Sequence, residues 1–136
     1  MDLDHIITAG SEVDWIDPLS SRAWISSGQQ LTVEMLIQGM MLPSGNDAAY
    51  ILAVGGGRVL AEDPALDRRM ALNLFIDEMN AQARALGLTG THFANPDGID
   101  QEGHYTTAND LITLANAVLL EAEPRRQGRV FLPESL

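Results

Sequence analysis

The sequence predicts a mainly α-helical domain with one small β-hairpin near the N-terminus. Three observations predict it. Apolar residues recur at helical spacing over most of the chain, as in Val33, Leu36, Ile37, Met40 and Met41. Short corners built from proline, glycine and small polar residues separate these runs, the sharpest being Pro43-Ser44-Gly45-Asn46. Short β-branched runs occur only early, at His5-Ile6-Ile7-Thr8-Ala9 and Arg22-Ala23-Trp24-Ile25-Ser26. A length of 136 residues fits one domain spanning residues 1–136, large enough for a real core.

The two early runs are expected to pair across a long acidic loop carrying Glu12, Asp14, Asp17 and Pro18. A lone hairpin is marginal in water, so it must lean on the helices or on other sequence. Thr32 is the expected N-cap of the first helix, and Glu34 lies near the positive end of its dipole. That helix ends at Met41, because Pro43 has no N–H to donate and disfavours helix at the residue before it. A second helix is expected from Asn46 to Val54, closely packed through its small residues. Gly55-Gly56-Gly57 reads as its stop and a flexible link, since no Lys-Ser/Thr follows to make a phosphate loop.

Asp63-Pro64 is the expected start of a third helix, with Leu72, Phe75, Ile76, Met79, Ala83 and Leu86 as its buried stripe and Gly87 as its left-handed stop. Residues 88–105 form a long connection containing the turn sequence Asn95-Pro96-Asp97-Gly98. Thr107-Ala108-Asn109-Asp110 opens a last helix, with Leu111, Leu114, Ala115, Val118 and Leu119 expected inward. Glu121 to Leu136 reads as a polar tail with one apolar stretch, Val130-Phe131-Leu132, that suits a strand.

Composition excludes several functions. A hydrophobic content of 46% with 20% charged residues describes a globular chain, and no apolar run reaches the roughly 18 residues of a membrane span. Without cysteine there is neither a disulfide frame nor a thiolate metal site. A net charge of −11 argues against nucleic acid and against an anionic membrane surface. His5, His92 and His104 lack metal-ligand spacing, and no cofactor-binding pattern is present. Asp97 and Asp100 read as paired carboxylates or as turn residues, and Arg125-Arg126 as a solvated pair. All eight basic residues are arginine, so this chain alone cannot carry Ser-x-x-Lys chemistry.

Ser44 and Asn46 are the candidate site residues. A hydroxyl and an amide two residues apart, at the rigid junction of two helices, are placed to touch one substrate together. Residue chemistry alone also allows Ser44 to be a helix N-cap with Asp47 as its capping-box partner.

Pro43-Ser44-Gly45-Asn46-Asp47-Ala48-Ala49 resembles the Ser-x-Asn motif of the serine D-alanyl-D-alanine carboxypeptidases, the low-molecular-mass penicillin-binding proteins of peptidase family S11. The likeness continues, in order, through Gln30-Leu31-Thr32-Val33-Glu34, Met79-Asn80, Ala85-Leu86-Gly87, Thr91 to Asp100 and His104 to Leu111. Class A β-lactamases are the nearest rival, and Gly45 in place of aspartate counts against them.

The resemblance implies the helical subdomain of the penicillin-binding, β-lactamase-like transpeptidase fold. It also implies an acyl-enzyme mechanism, with peptidoglycan stem peptides and β-lactams as ligands, in the cell envelope outside the cytoplasm. In that scheme a Ser-x-x-Lys serine attacks the D-Ala–D-Ala carbonyl and a Lys-Thr/Ser-Gly strand binds the terminal carboxylate. Ser44 then relays a proton, and Asn46 bonds the substrate amide and the catalytic lysine. Neither lysine motif is present, which is the pattern of an excised middle, inactive alone and apolar on the face that its sheet would cover. Self-association through that face is expected. A non-catalytic module that binds stem peptides or a partner protein is the alternative.

Overall fold

A computed structural model describes residues 1–126. The order of elements is β1 (Ile6–Thr8), a 3-10 turn (Ser11–Asp14), β2 (Gln30–Thr32), α1 (Val33–Met41), α2 (Asn46–Leu60), α3 (Arg68–Ala85) and α4 (Ala108–Arg126). The expected strand at 130–132 lies outside the described residues.

β1 and β2 form an antiparallel pair in which Ile7 faces Leu31, both buried. The hairpin expected from the sequence therefore exists, but its second strand is 30–32 and not 22–26. Residues 23 and 25 give their amides to the carboxylate of Asp47 and have none left for a ladder. Thr32 ends the strand and caps α1 as expected, its hydroxyl accepting the Met35 N–H at 3.2 Å.

α2 is the central element, and one core cluster lies on each side of it. Ile7, Leu31, Val33, Leu36, Ala48 and Ile51 form the first; Ala53, Val54, Ala71 and Leu72 form the second, with Trp15, Tyr50 and Phe75 against it. The glycine triplet does not stop α2, which runs through it to Leu60. Close approach is the reason. A Cβ at Gly55 would lie 2.5 Å from the Ile7 side chain, one at Gly56 2.5 Å from the Phe75 ring, and one at Gly57 would overlap the Ala71 carbonyl. The triplet thus trades helix propensity for contact with β1 and α3.

α3 starts later than Asp63-Pro64 suggests. Asp67 is the N-cap, accepting from the amides of Arg69 and Met70, while Asp63 closes a local turn through the Ala65 amide. Only part of the expected α3 stripe is fully buried: Leu72 and Ala83 are, Phe75, Ile76 and Met79 are half-buried, and Leu86 is exposed. Gly87 takes φ +74 and ends the helix as expected.

Glu12, fully buried on the 3-10 turn, accepts the Gly10 amide at 2.9 Å and pairs with Arg68 of α3 at 2.8 Å. This half-buried ion pair ties the N-terminal turn to α3.

α4 differs most from expectation. Thr107 caps it through the Asp110 amide, but its apolar residues do not turn inward. Leu114 is half-buried, whereas Leu111, Ile112, Val118, Leu119 and Leu120 are all more than half exposed. Residues 121–126, expected in a tail, continue this helix.

Candidate functional site

The Ser44 corner is built by what its backbone can and cannot bond. α1 finishes when the Leu42 amide donates to Gln38, and Pro43 offers no further donor. Ser44 then adopts φ +57, a left-handed conformation that costs a non-glycine residue roughly 1 kcal/mol or more. Its side chain is exposed. Gly45 turns the chain back under α1, its N–H donating to the Gly39 carbonyl at 3.1 Å. A Cβ at Gly45 would sit 2.5 Å from that carbonyl oxygen and 2.8 Å from the Ala23 methyl, so the middle position of the corner has no room for a side chain.

Asn46 is the first residue of α2. Its backbone amide donates to the Ser21 carbonyl at 3.0 Å, and the residue is 8% exposed. Neither the Ser44 hydroxyl nor the Asn46 amide has a side-chain hydrogen bond among the described residues. No buried side-chain polar atom there lacks a partner, so the Asn46 amide reaches solvent. The corner thus holds one hydroxyl and one donor–acceptor amide, both unused by the fold and both able to meet a ligand.

The capping alternative does not hold. The N-cap of α2 is Gly45, with no side-chain cap bond. Asp47 is turned away from Ser44, buried at 1% exposure, and bonds the amides of Ala23, Ile25 and Ala48. A local spacing of three residues cannot distinguish a capping aspartate from one that reaches across the chain.

The 88–105 connection is pinned at several points. Asn80 of α3 clamps Phe93 from both sides, donating to its carbonyl and accepting its amide, each at 2.8 Å. His92 and Tyr105 exchange backbone bonds and stack at 5.9 Å. Asp110 accepts from the Gly90 amide and the Thr91 hydroxyl, tying α4 to the start of the loop. In the turn sequence Asn95 is buried, accepting from Gly98 and donating to Ile99 and Gln101. His92 and His104 come together within this loop, but each is used to hold it, on the Gly103 carbonyl and the Ala94 amide respectively. His5 lines a cavity of about 370 Å³ between β1 and α2, to which neither of the other histidines contributes.

Tyr50 lies one helical turn from Asn46 on α2. Burial raises its phenol above the ordinary value of 10.0, the Asp97 charge raises it further, and Arg69 opposes both. Asp100, the expected companion of Asp97, is exposed. Trp15 packs edge-on against Tyr50 at 6.3 Å and carries the Arg69 guanidinium 3.7 Å above its ring. Neither Trp15 nor Tyr50 stood out in the sequence, where nothing links two aromatic residues so far apart.

The chain as a whole is similar to known proteins. D-Alanyl-D-alanine carboxypeptidase from Streptomyces sp. strain K15 is 39% identical over 101 residues, covering 73% of this chain and 32% of its own length. D-Alanyl-D-alanine carboxypeptidase DacF of Bacillus subtilis is 32% identical over 101 residues, covering 73% and 22%. The crystal structure of the Streptomyces K15 DD-transpeptidase superposes with a TM-score of 0.77 at 36% identity, over 88% of this chain and 44% of that one. The Francisella tularensis D-alanyl-D-alanine carboxypeptidase DacD gives 0.69 at 31% identity, over 87% and 25%. The described fold is thus that of the helical part of these enzymes, and the chain spans a third or less of the two curated relatives. The family model for D-alanyl-D-alanine carboxypeptidase, peptidase family S11, matches residues 1–127, and this chain belongs to that family.

Proposed function

We propose that this chain is the central helical part of a serine D-Ala-D-Ala carboxypeptidase that trims peptidoglycan stem peptides through an acyl-enzyme. The observation that carries this reading is the Ser44-Gly45-Asn46 corner, a strained turn exposing a hydroxyl and leaving a side-chain amide without a partner among the described residues. In the proposed mechanism a serine of a Ser-x-x-Lys segment attacks the carbonyl of the penultimate D-alanine, and its lysine takes the proton. Ser44 relays a proton toward the departing amine, and Asn46 bonds the substrate amide and that lysine. The chain has no lysine, so nucleophile, base and carboxylate anchor come from sequence on either side in the complete enzyme. Peptidoglycan as substrate places the reaction outside the cytoplasm; no described helix is long and apolar enough to cross a membrane.

The same absence of lysine supports a second reading, a non-catalytic module that holds stem peptides or a partner protein. Labelling with a fluorescent penicillin separates the two. The product of the complete gene is expected to be labelled and this chain alone to stay unlabelled. Labelling of neither, with stem-peptide binding by this chain, would favour the module.

The exposed leucines of α4 support one more expectation. In isolation we propose that two copies of this chain associate through Leu111, Val118 and Leu119, which would otherwise face water. Light scattering should show a mass that rises with concentration, and Leu119→Asp should lower it. A constant monomer mass over a hundred-fold concentration range would end this idea.

A further inference from the structure

The segment Ser21–Ile25 lies along the Ser44 corner without belonging to any helix or strand. The Ser21 carbonyl accepts the Asn46 backbone N–H, and the Ala23 methyl fills the space that a Cβ on Gly45 would need. What holds the segment there is Asp47. Its Oδ1 accepts the Ala23 N–H at 2.8 Å and its Oδ2 the Ile25 N–H at 3.0 Å, while the Ala48 N–H completes the set at 3.0 Å.

Two amides at i and i+2 converging on one anion form a backbone nest. Alternate amides of an extended chain point the same way but lie roughly 6.6 Å apart, so bringing both onto one carboxylate requires the backbone to curl at the residue between them. Trp24 does so, with φ +60, and its side chain is left 82% exposed. An exposed tryptophan in a left-handed conformation has two local costs, and the three bonds to a buried carboxylate offset them.

We propose that Asp47 is a positioning residue of the candidate site. By binding the 23–25 nest it presses Ser21 and Ala23 against Gly45 and Asn46, which keeps Ser44 in its left-handed conformation and the Asn46 amide free for substrate. The proposal rests on the functional reading above, and it assigns Asp47 a role in geometry alone, without contact to the reacting atoms.

The test is made in the complete gene product, with acylation by a fluorescent penicillin and amide hydrogen exchange as readouts. Asp47→Asn is expected to slow acylation about ten-fold, leave the affinity for unreacted penicillin within two-fold, and speed exchange at Ala23 and Ile25 at least ten-fold. Glu12→Gln, which breaks the half-buried ion pair with Arg68 away from the corner, is expected to lower the melting temperature and leave acylation unchanged. A second pair avoids the buried carboxylate altogether. Trp24→Gly keeps the left-handed position and should acylate normally, whereas Trp24→Pro fixes φ near −65° and should lose about ten-fold.

Equal acylation by the two Trp24 variants would overturn the proposal, as would unchanged exchange at Ala23 and Ile25 in Asp47→Asn. A wild-type enzyme that is not acylated at all would instead remove the functional reading, and the exchange rates would still decide whether Asp47 holds the segment.

Discussion

Replacing Gly57 by alanine is expected to lower the thermal midpoint of this chain by about 10 °C. Two effects oppose each other at this position. Alanine gains roughly 1 kcal/mol of helix propensity over glycine. Against that, the new methyl would overlap the carbonyl carbon and oxygen of Ala71, which is backbone and cannot rotate away. α2 and α3 must then separate, and separation loosens Ala53, Val54, Ala71 and Leu72, all now at least 94% buried. Overpacking of this kind costs about 3 kcal/mol or more where nothing can yield. The net loss is therefore about 2 kcal/mol or more, equivalent to roughly 10 °C for a domain of this size.

The neighbouring glycines should cost less, in the order of how far the contacted atoms can yield. Gly56→Ala meets the Phe75 ring, which is a side chain able to shift, and is expected to lose less. Gly39→Ala meets only the Ala23 and Ala48 methyls at 3.3 and 3.6 Å, so the propensity gain should leave the midpoint level or higher. Circular-dichroism melts of the three variants measure the order directly. If Gly57→Ala melts within two degrees of wild type, α2 and α3 do not cross as closely as described.

This triplet also shows where sequence reasoning stops. Three glycines in a row have the local signature of a helix end, and the competing signal, the approach of β1 and α3, comes from Ile7, Phe75 and Ala71, all remote in sequence. Asp47 is the same kind of case. Its spacing from Ser44 suggested a capping box, yet two of its three partners lie 22 and 24 residues away, and claiming those amides is also what moved the second strand to 30–32. By contrast, the Thr32 cap, the end of α1 and the Gly87 stop were legible, because each depends on bonds within one helical turn. At the corner only the helix break at Pro43 was legible in this way; the contacts of Asn46 with Ser21 and of Gly45 with Ala23 join residues more than 20 apart. The inward face assigned to α4 failed differently: its leucines have the right spacing, but the described residues contain nothing to bury most of them.

Ser44 and Asn46 give the largest expected changes in activity, and their variants should separate function from stability. In the complete enzyme, Asn46→Ala is expected to slow penicillin acylation by about 10²- to 10³-fold, the usual loss when one aligned donor is removed from a transition state. Stability should hardly move, because the Asn46 side chain bonds nothing among the described residues. Asn46→Asp keeps the shape and the acceptor but loses the donor and adds a second carboxylate beside Asp47, so it should be no better. Ser44→Gly gives the opposite pair of signs. Glycine accepts φ +57 without strain, so stability should rise by up to about 1 kcal/mol. Loss of the hydroxyl should at the same time cut acylation about 10²-fold. A residue kept in an unfavourable conformation for its side chain should show this trade. Were Ser44→Gly to gain stability and keep full activity, the hydroxyl would have no part in the reaction and the corner would be only a tight turn.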